Sequence, residues 1–192
     1  MGAIELHIAR SKKDRKQLIN TEKSVLFLAG PIRNALKWHD IAIRFIVSYR
    51  FGWPLFIVAP IHKTEKYSEI LVDDSMSAPV FERQRAWELH YLELAAKKGC
   101  TVFWLSNPAP FPEHEGKVYA HITMMELGNA VERKRHEGDA FNLVVGVDNN
   151  FPEWETIKLD LDTKAPSVPI CYTLEDTIKS AIKLIEKQEN NG

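Results

Sequence analysis

Val25-Leu26-Phe27-Leu28-Ala29, closed by Gly30-Pro31, is the stretch that decides the fold. It is too short for a helix and wholly apolar, and a Gly-Pro pair ends it. That pattern predicts a strand buried on both faces. The same signature recurs along the chain. Leu55-Phe56-Ile57-Val58-Ala59 stops at Pro60, Cys100 to Leu105 leads into a proline-rich loop, Leu143 to Val147 runs into Asn149-Asn150-Phe151-Pro152, and Val168 to Tyr172 is a shorter fifth run. Between these runs lie helical patterns over about 36–50, 81–98, 121–136 and 174–188. Strands that alternate with helices imply a parallel sheet covered on both faces. The expected architecture is α/β: a flavodoxin-like three-layer sandwich with a five-stranded sheet in the order 2-1-3-4-5. Residues 1–23 read as a basic N-terminal extension and 24–192 as one domain. Sheets of this kind bind ligands beyond the carboxyl ends of their strands, near the point where the strand order reverses.

Composition narrows the function classes. The 25 basic and 26 acidic side chains nearly cancel, so there is no electrostatic footprint for a nucleic-acid polymer or an anionic membrane. No window approaches the length of an apolar span, and the N-terminus lacks the apolar core of a signal peptide, so the cytoplasm is the expected compartment. The 2 cysteines, Cys100 and Cys171, lie in apolar runs without metal-ligand spacing and read as buried thiols. Neither a metal nor an organic cofactor is called for.

Three segments carry residues suited to chemistry. The first is the loop Gly30-Pro31-Ile32-Arg33. Gly30 removes a side chain where backbone must approach a ligand or turn sharply. Arg33 offers a fork for a phosphate or carboxylate, or is simply a surface arginine after a turn. The second is Glu82 to Glu88, ERQRAWE. Gln84 and Glu88 share a helix face beside Trp87 and Tyr91, an arrangement suited to a nucleobase edge and ring. The competing reading puts Trp87 and Tyr91 in the core and pairs Glu88 with Arg83 or Arg85. The third is Ile122 to Ala130, ITMMELGNA, where Glu126 falls in the early turns of a helix among methionines and leucine. A carboxylate in such surroundings serves as nucleophile or proton carrier. Thr123 and Glu126 also have the spacing of a capping box, which would tie Glu126 to its own helix end. Gly128, just beyond, would admit a close neighbour. Asp73 and Asp74 supply further acids in the irregular stretch 61–80, and His121 stands at a helix start.

Taken together, VLFLAGPI at 25–32, ERQRAWE at 82–88, TVFWL at 101–105, ITMMELGNA at 122–130 and VVGVDNNF at 144–151 resemble the nucleoside 2-deoxyribosyltransferase superfamily, in its nucleoside 2-deoxyribosyltransferase-like branch. The resemblance implies cleavage of the N-glycosidic bond of a nucleoside or nucleotide, by transfer to another base or to water. It implies Glu126 as nucleophile and the Gly30–Ile32 loop against the sugar. It also implies a homo-oligomer, a dimer or larger, in which Asn149 or Asn150 of a neighbouring copy completes the sugar site. Loss of a base from C1′ passes through an oxocarbenium-like centre that a carboxylate stabilises and can trap. Glu88 is the first candidate to protonate the departing base, with Gln84, Trp87 and Asp74 as further substrate contacts. The tyrosine that characterised transferases carry on or after the first strand has no counterpart in Leu28-Ala29-Gly30-Pro31; Tyr67, Tyr91 and Tyr119 are the nearest alternatives. The same fold without turnover would be a nucleotide-binding or sensing module.

Overall fold

The structure, a computed structural model, describes residues 2–8, 23–61, 81–110 and 118–191. Among them the elements run β1 (Ile4–Ile8), β2 (Ser24–Ala29), α1 (Trp38–Ser48), β3 (Leu55–Ala59), α2 (Phe81–Lys98), β4 (Gly99–Leu105), α3 (His121–Glu137), β5 (Leu143–Val147), α4 (Trp154–Lys164), β6 (Ile170–Cys171) and α5 (Leu174–Asn191). All strand pairs are parallel, and the order is β1-β3-β2-β4-β5-β6. The five expected strands therefore follow the expected order, but the count is corrected to six among the described residues. The sixth comes from the N-terminal extension. Ile4-Glu5-Leu6-His7-Ile8 alternates apolar and polar residues, the period of a strand at a sheet edge. It pairs along β3 with Leu6 opposite Ile57, and Lys23 closes over it with a 2.6 Å ion pair to Glu5.

The strands read as unbroken apolar runs because both faces are covered. Val25, Phe27 and Ala29 point to a layer built by α2, α3 and α4, where they meet Phe103, Leu105, Tyr91, Leu127 and Leu161. Leu26 and Leu28 point the other way, into Trp38, Ile43 and Ile46 of α1 and Ile178, Ile182 and Ile185 of α5. The residues of β2 from Val25 to Ala29 thus alternate between two cores, and none of them is left for water to favour a polar side chain.

α4 is an element that the sequence patterns had not indicated. Leu161 is its one buried residue, and its surface is tied by the i,i+4 pairs Lys158–Asp162 and Lys164–Asp160. Of the two cysteines, Cys100 is buried as expected, whereas Cys171 is only half-buried, with its sulfur 3.5 Å from Ser180 Oγ. The expectation of two buried thiols is corrected on that point, because β6 has only two residues and lies at the sheet edge. Gly128 has open space where a Cβ would stand, so it admits no close neighbour. No helix of the described residues is long and apolar enough to cross a membrane. Residues 9–22 of the basic extension, the acids Asp73 and Asp74, and Tyr67 lie outside the described residues.

Candidate functional site

From β2 the chain passes to β3 on one side of the sheet and later to β4 on the other, so the strand order reverses at β2. A cavity of about 370 Å³ opens at the carboxyl end of this strand. That volume lies within the roughly 300–1,000 Å³ of small-molecule sites. Its floor is Phe27 and Ala29, and its walls are the loop Gly30 to Asn34, Pro60 after β3, Arg85 and Glu88 from α2, and residues 118–123 with Met125 and Glu126 from the start of α3.

The loop after β2 is held from two sides. Trp38, in the first turn of α1, is buried and donates its indole Nε1–H to the Pro31 carbonyl at 2.9 Å. On the far side, Ala109 N–H donates to the Asn34 carbonyl at 2.6 Å, beside an antiparallel bridge between Ala35 and Pro108. Gly30 is what lets this packing close. Its φ of +155° suits glycine, and a Cβ there would stand 2.4 Å from the Trp104 carbonyl oxygen and 2.6 Å from the Trp38 ring. Pro31 is buried, Ile32 half-buried, and Arg33 exposed at the rim.

Glu126 stands in the second turn of α3. The capping box is not formed. The helix begins at His121 after Ala120, which adopts a left-handed φ of 56°, and no side chain caps it. Thr123 is inside the first turn and buried rather than at the cap position, so the Thr123–Glu126 spacing does not fall where a capping box needs it. The carboxylate turns instead toward α2, where Arg85 Nη1 donates to Glu126 Oε1 and, at 3.2 Å, to Glu88 Oε2. The side chains of Glu126 and Glu88 keep 12% and 15% of their exposure, less than is usual for carboxylates. Burial pushes the Glu126 carboxyl above its ordinary value of 4.5, and the nearby Glu88 charge adds to this; Arg85 opposes the rise without cancelling it. Burial also works against the Arg85 charge, but the two carboxylates more than offset it and hold the guanidinium charged.

The other candidates fall into three groups. Gly30, Pro31, Ile32, Arg33, Glu88 and Glu126 are brought together around the cavity. Trp87 is not among the described residues that line it. Its ring packs in the core at 4.7 Å from Tyr91, because its position on α2 turns it toward β2 and β4 rather than toward the carboxyl ends. Asn149 and Asn150 are exposed on the β5–α4 loop, two strands away from β2, and do not line this cavity of a single chain either. The side chain of Gln84, like Asp74, lies outside the described residues. Tyr119 does line the cavity, yet its hydroxyl donates to the Ser106 carbonyl at 2.5 Å rather than to Glu126, and burial pushes its pKa up. His121 is exposed at the mouth, with Nδ1 3.0 Å from the Val118 carbonyl oxygen.

Arg85 is the residue that sequence reasoning undervalued. It entered only as a surface partner for Glu88. The i,i+3 spacing of that pair is legible, but the contact with Glu126 spans 41 residues and exists only once α2 and α3 lie side by side. Among the described residues no group of three or more His, Cys, Asp or Glu is placed to hold a metal ion. Chemically, the arrangement presents a nearly buried carboxylate to a mostly apolar cavity, with the Arg85 cation behind it and a second acid, Glu88, beside it. No model of a known protein family and no curated protein matches the chain.

Proposed function

We propose that the protein cleaves the N-glycosidic bond of a nucleoside or nucleotide, with Glu126 as nucleophile, and passes the sugar to a second base or to water. The observation that carries this reading is the position of Glu126: a nearly buried carboxylate on the wall of a nucleoside-sized cavity, opposite the Gly30–Arg33 loop. The resemblance of the five motifs at 25–151 to the nucleoside 2-deoxyribosyltransferase superfamily supports it from the sequence side.

A Glu126 oxygen attacks C1′ as the C1′–N bond breaks, and the bonding electron pair leaves with the base. The base takes up a proton; Glu88, on the same wall, is the acid assigned to supply it. A glycosyl ester on Glu126 remains. Attack on C1′ by a nitrogen of a second base, or by water, releases the carboxylate. The apolar surroundings favour the step, since the charge that develops on the sugar sits beside a carboxylate poorly screened by solvent.

A second reading is a nucleotide-binding or sensing module of the same fold. It is favoured by one observation: the phenol that lines the cavity, Tyr119, is bonded to Ser106 and not to Glu126. Incubation with a panel of deoxynucleosides, ribonucleosides, their 5′-monophosphates and free bases, followed by chromatography, separates the two. Base release that disappears in Glu126→Ala, with an unchanged circular dichroism spectrum, supports the enzyme. Saturable binding without release supports the module. Neither release nor binding ends both readings.

A further inference from the structure

Resting on the reading of Glu126 as nucleophile, we infer that Arg85 is a positioning residue, which aims the Glu126 carboxylate into the cavity and couples it to Glu88. Arg85 belongs to α2 and Glu126 to α3, so the contact is a cross-brace between two helices that pack on the same face of the sheet. A glutamate side chain has three rotatable bonds, and its tip is loosely placed by its own backbone. One oxygen anchored to a guanidinium narrows the rotations open to the carboxylate and leaves Oε2 outside that contact. Among the described residues no other cation makes an ion pair with Glu126. The same Nη1 also reaches Glu88 Oε2, so a change of charge on one acid is felt by the other through a shared donor.

Among the described residues, the charged and titratable groups that face the cavity are few. Arg33 comes from the β2–α1 loop, Arg85 and Glu88 from α2, and Tyr119, His121 and Glu126 from the start of α3. Of these, Arg33 and His121 are exposed to solvent, which screens them. Arg85 has only 23% of its side chain exposed and sits directly on the carboxylate. It is thus the group best placed to keep Glu126 ionised against burial. A lysine would keep the charge but replace the rigid, directional guanidinium N–H donor by a freely rotating ammonium, so Arg85→Lys and Arg85→Met separate orientation from charge.

The test uses the full chain. Side-chain carboxyl titrations by carbon-13 NMR, with the Glu126 signal assigned from Glu126→Gln, are compared for wild type, Arg85→Met and Arg85→Lys. In Arg85→Met the Glu126 midpoint is expected to rise by about 1 pH unit or more, and in Arg85→Lys by less. With a substrate found by the panel above, Arg85→Met is expected to lower kcat by on the order of 10²-fold, with a smaller change in KM, and to move the acid limb of the rate profile upward in step with the NMR midpoint. Arg85→Lys should restore the acid limb more than it restores kcat. A midpoint unmoved in Arg85→Met, or wild-type kcat and acid limb in that variant, overturns the inference. A moved midpoint in a protein that turns over no substrate sinks the glycosidic reading alone and leaves Arg85 as the group that sets the Glu126 charge.

Discussion

Arg85 and Glu126, 41 residues apart in the chain, form an ion pair that crosses from α2 to α3 in the wall of the cavity at the end of β2. The pair sits where two opposed effects meet. Burial disfavours the carboxylate charge, and the guanidinium favours it. The balance still leaves the Glu126 pKa raised, and that fixes the sign of its effect on stability.

A carboxyl whose folded pKa lies above its unfolded value adds stability that is fully present below the unfolded value, near 4.5, and lost as the pH rises through the folded value. Once ionised, Glu126 is therefore a net burden on folding relative to its protonated form. Glu126→Gln keeps the shape and an acceptor for Arg85 while it removes the charge. Its urea midpoint is expected to equal or exceed that of wild type at pH 7, and the advantage should vanish below pH 4.5. A variant clearly less stable than wild type at pH 7 would show that the ion pair outweighs burial. On the proposed glycosidic mechanism, the same variant should lose base release by about 10³-fold or more, because an amide cannot form the glycosyl ester.

His39 obeys the opposite sign. It is buried in α1 at 5% exposure, and burial drives its pKa from 6.5 down to about 3, against the opposing effect of a hydrogen bond to the Leu28 backbone. Its Nε2 has no hydrogen-bond partner among the described residues. A group with a depressed folded pKa contributes stability that is present above the unfolded value and lost as the pH falls. Wild-type stability should therefore decline between pH 6.5 and 3, with a share on the order of a few kcal/mol from this residue. In His39→Phe, urea midpoints measured across that window should show a visibly flatter slope; equal slopes would mean that His39 takes up its proton without opening the core.

Two glycines give opposite answers to the same substitution. A methyl group at Gly30 meets the Trp104 carbonyl oxygen, which is backbone and cannot swing away, and the Trp38 ring that holds Pro31. Gly30→Ala is expected to cost about 1–3 kcal/mol and to weaken any ligand in the cavity, since the loop after β2 must shift. Gly128 is an exposed position within α3 with open space beside it. Gly128→Ala should stabilise the protein by about 0.5–1 kcal/mol through helix propensity. Denaturant unfolding of the pair checks both, and a Gly30→Ala protein as stable as wild type would show that the loop is slack.

Much of the sheet was legible because burial on both faces leaves a local signature. Runs such as Leu55 to Ala59 can be read without knowing what covers them. β1 was passed over because Ile4 to Ile8 alternates instead, the weaker signal of a strand at an edge. α4 was passed over because Ile157, Leu159 and Leu161 alternate over a stretch that is in fact helical, and only Leu161 is buried. For the site, the loop Gly30–Arg33 was legible because it directly follows a strand, where a parallel sheet gathers its ligands, whereas Glu88 and Glu126 stood out as acids on helices beside aromatic or apolar neighbours. The fate of Trp87 was not legible, because its direction depends on how α2 is rotated against β2 and β4.

By itself, then, the order of residues determined that this chain builds a parallel sheet between two helical layers, and that an acid at position 126 follows its β4 strand. Both follow from contacts between near neighbours and from which side chains water rejects. Only the tertiary structure decided that Glu126 leaves its own helix end for Arg85, that Trp87 belongs to the core, and that Trp38 fastens the Pro31 loop. Those outcomes depend on the relative placement of elements far apart in sequence, and helix periodicity says which face a residue shares but not what that face will meet.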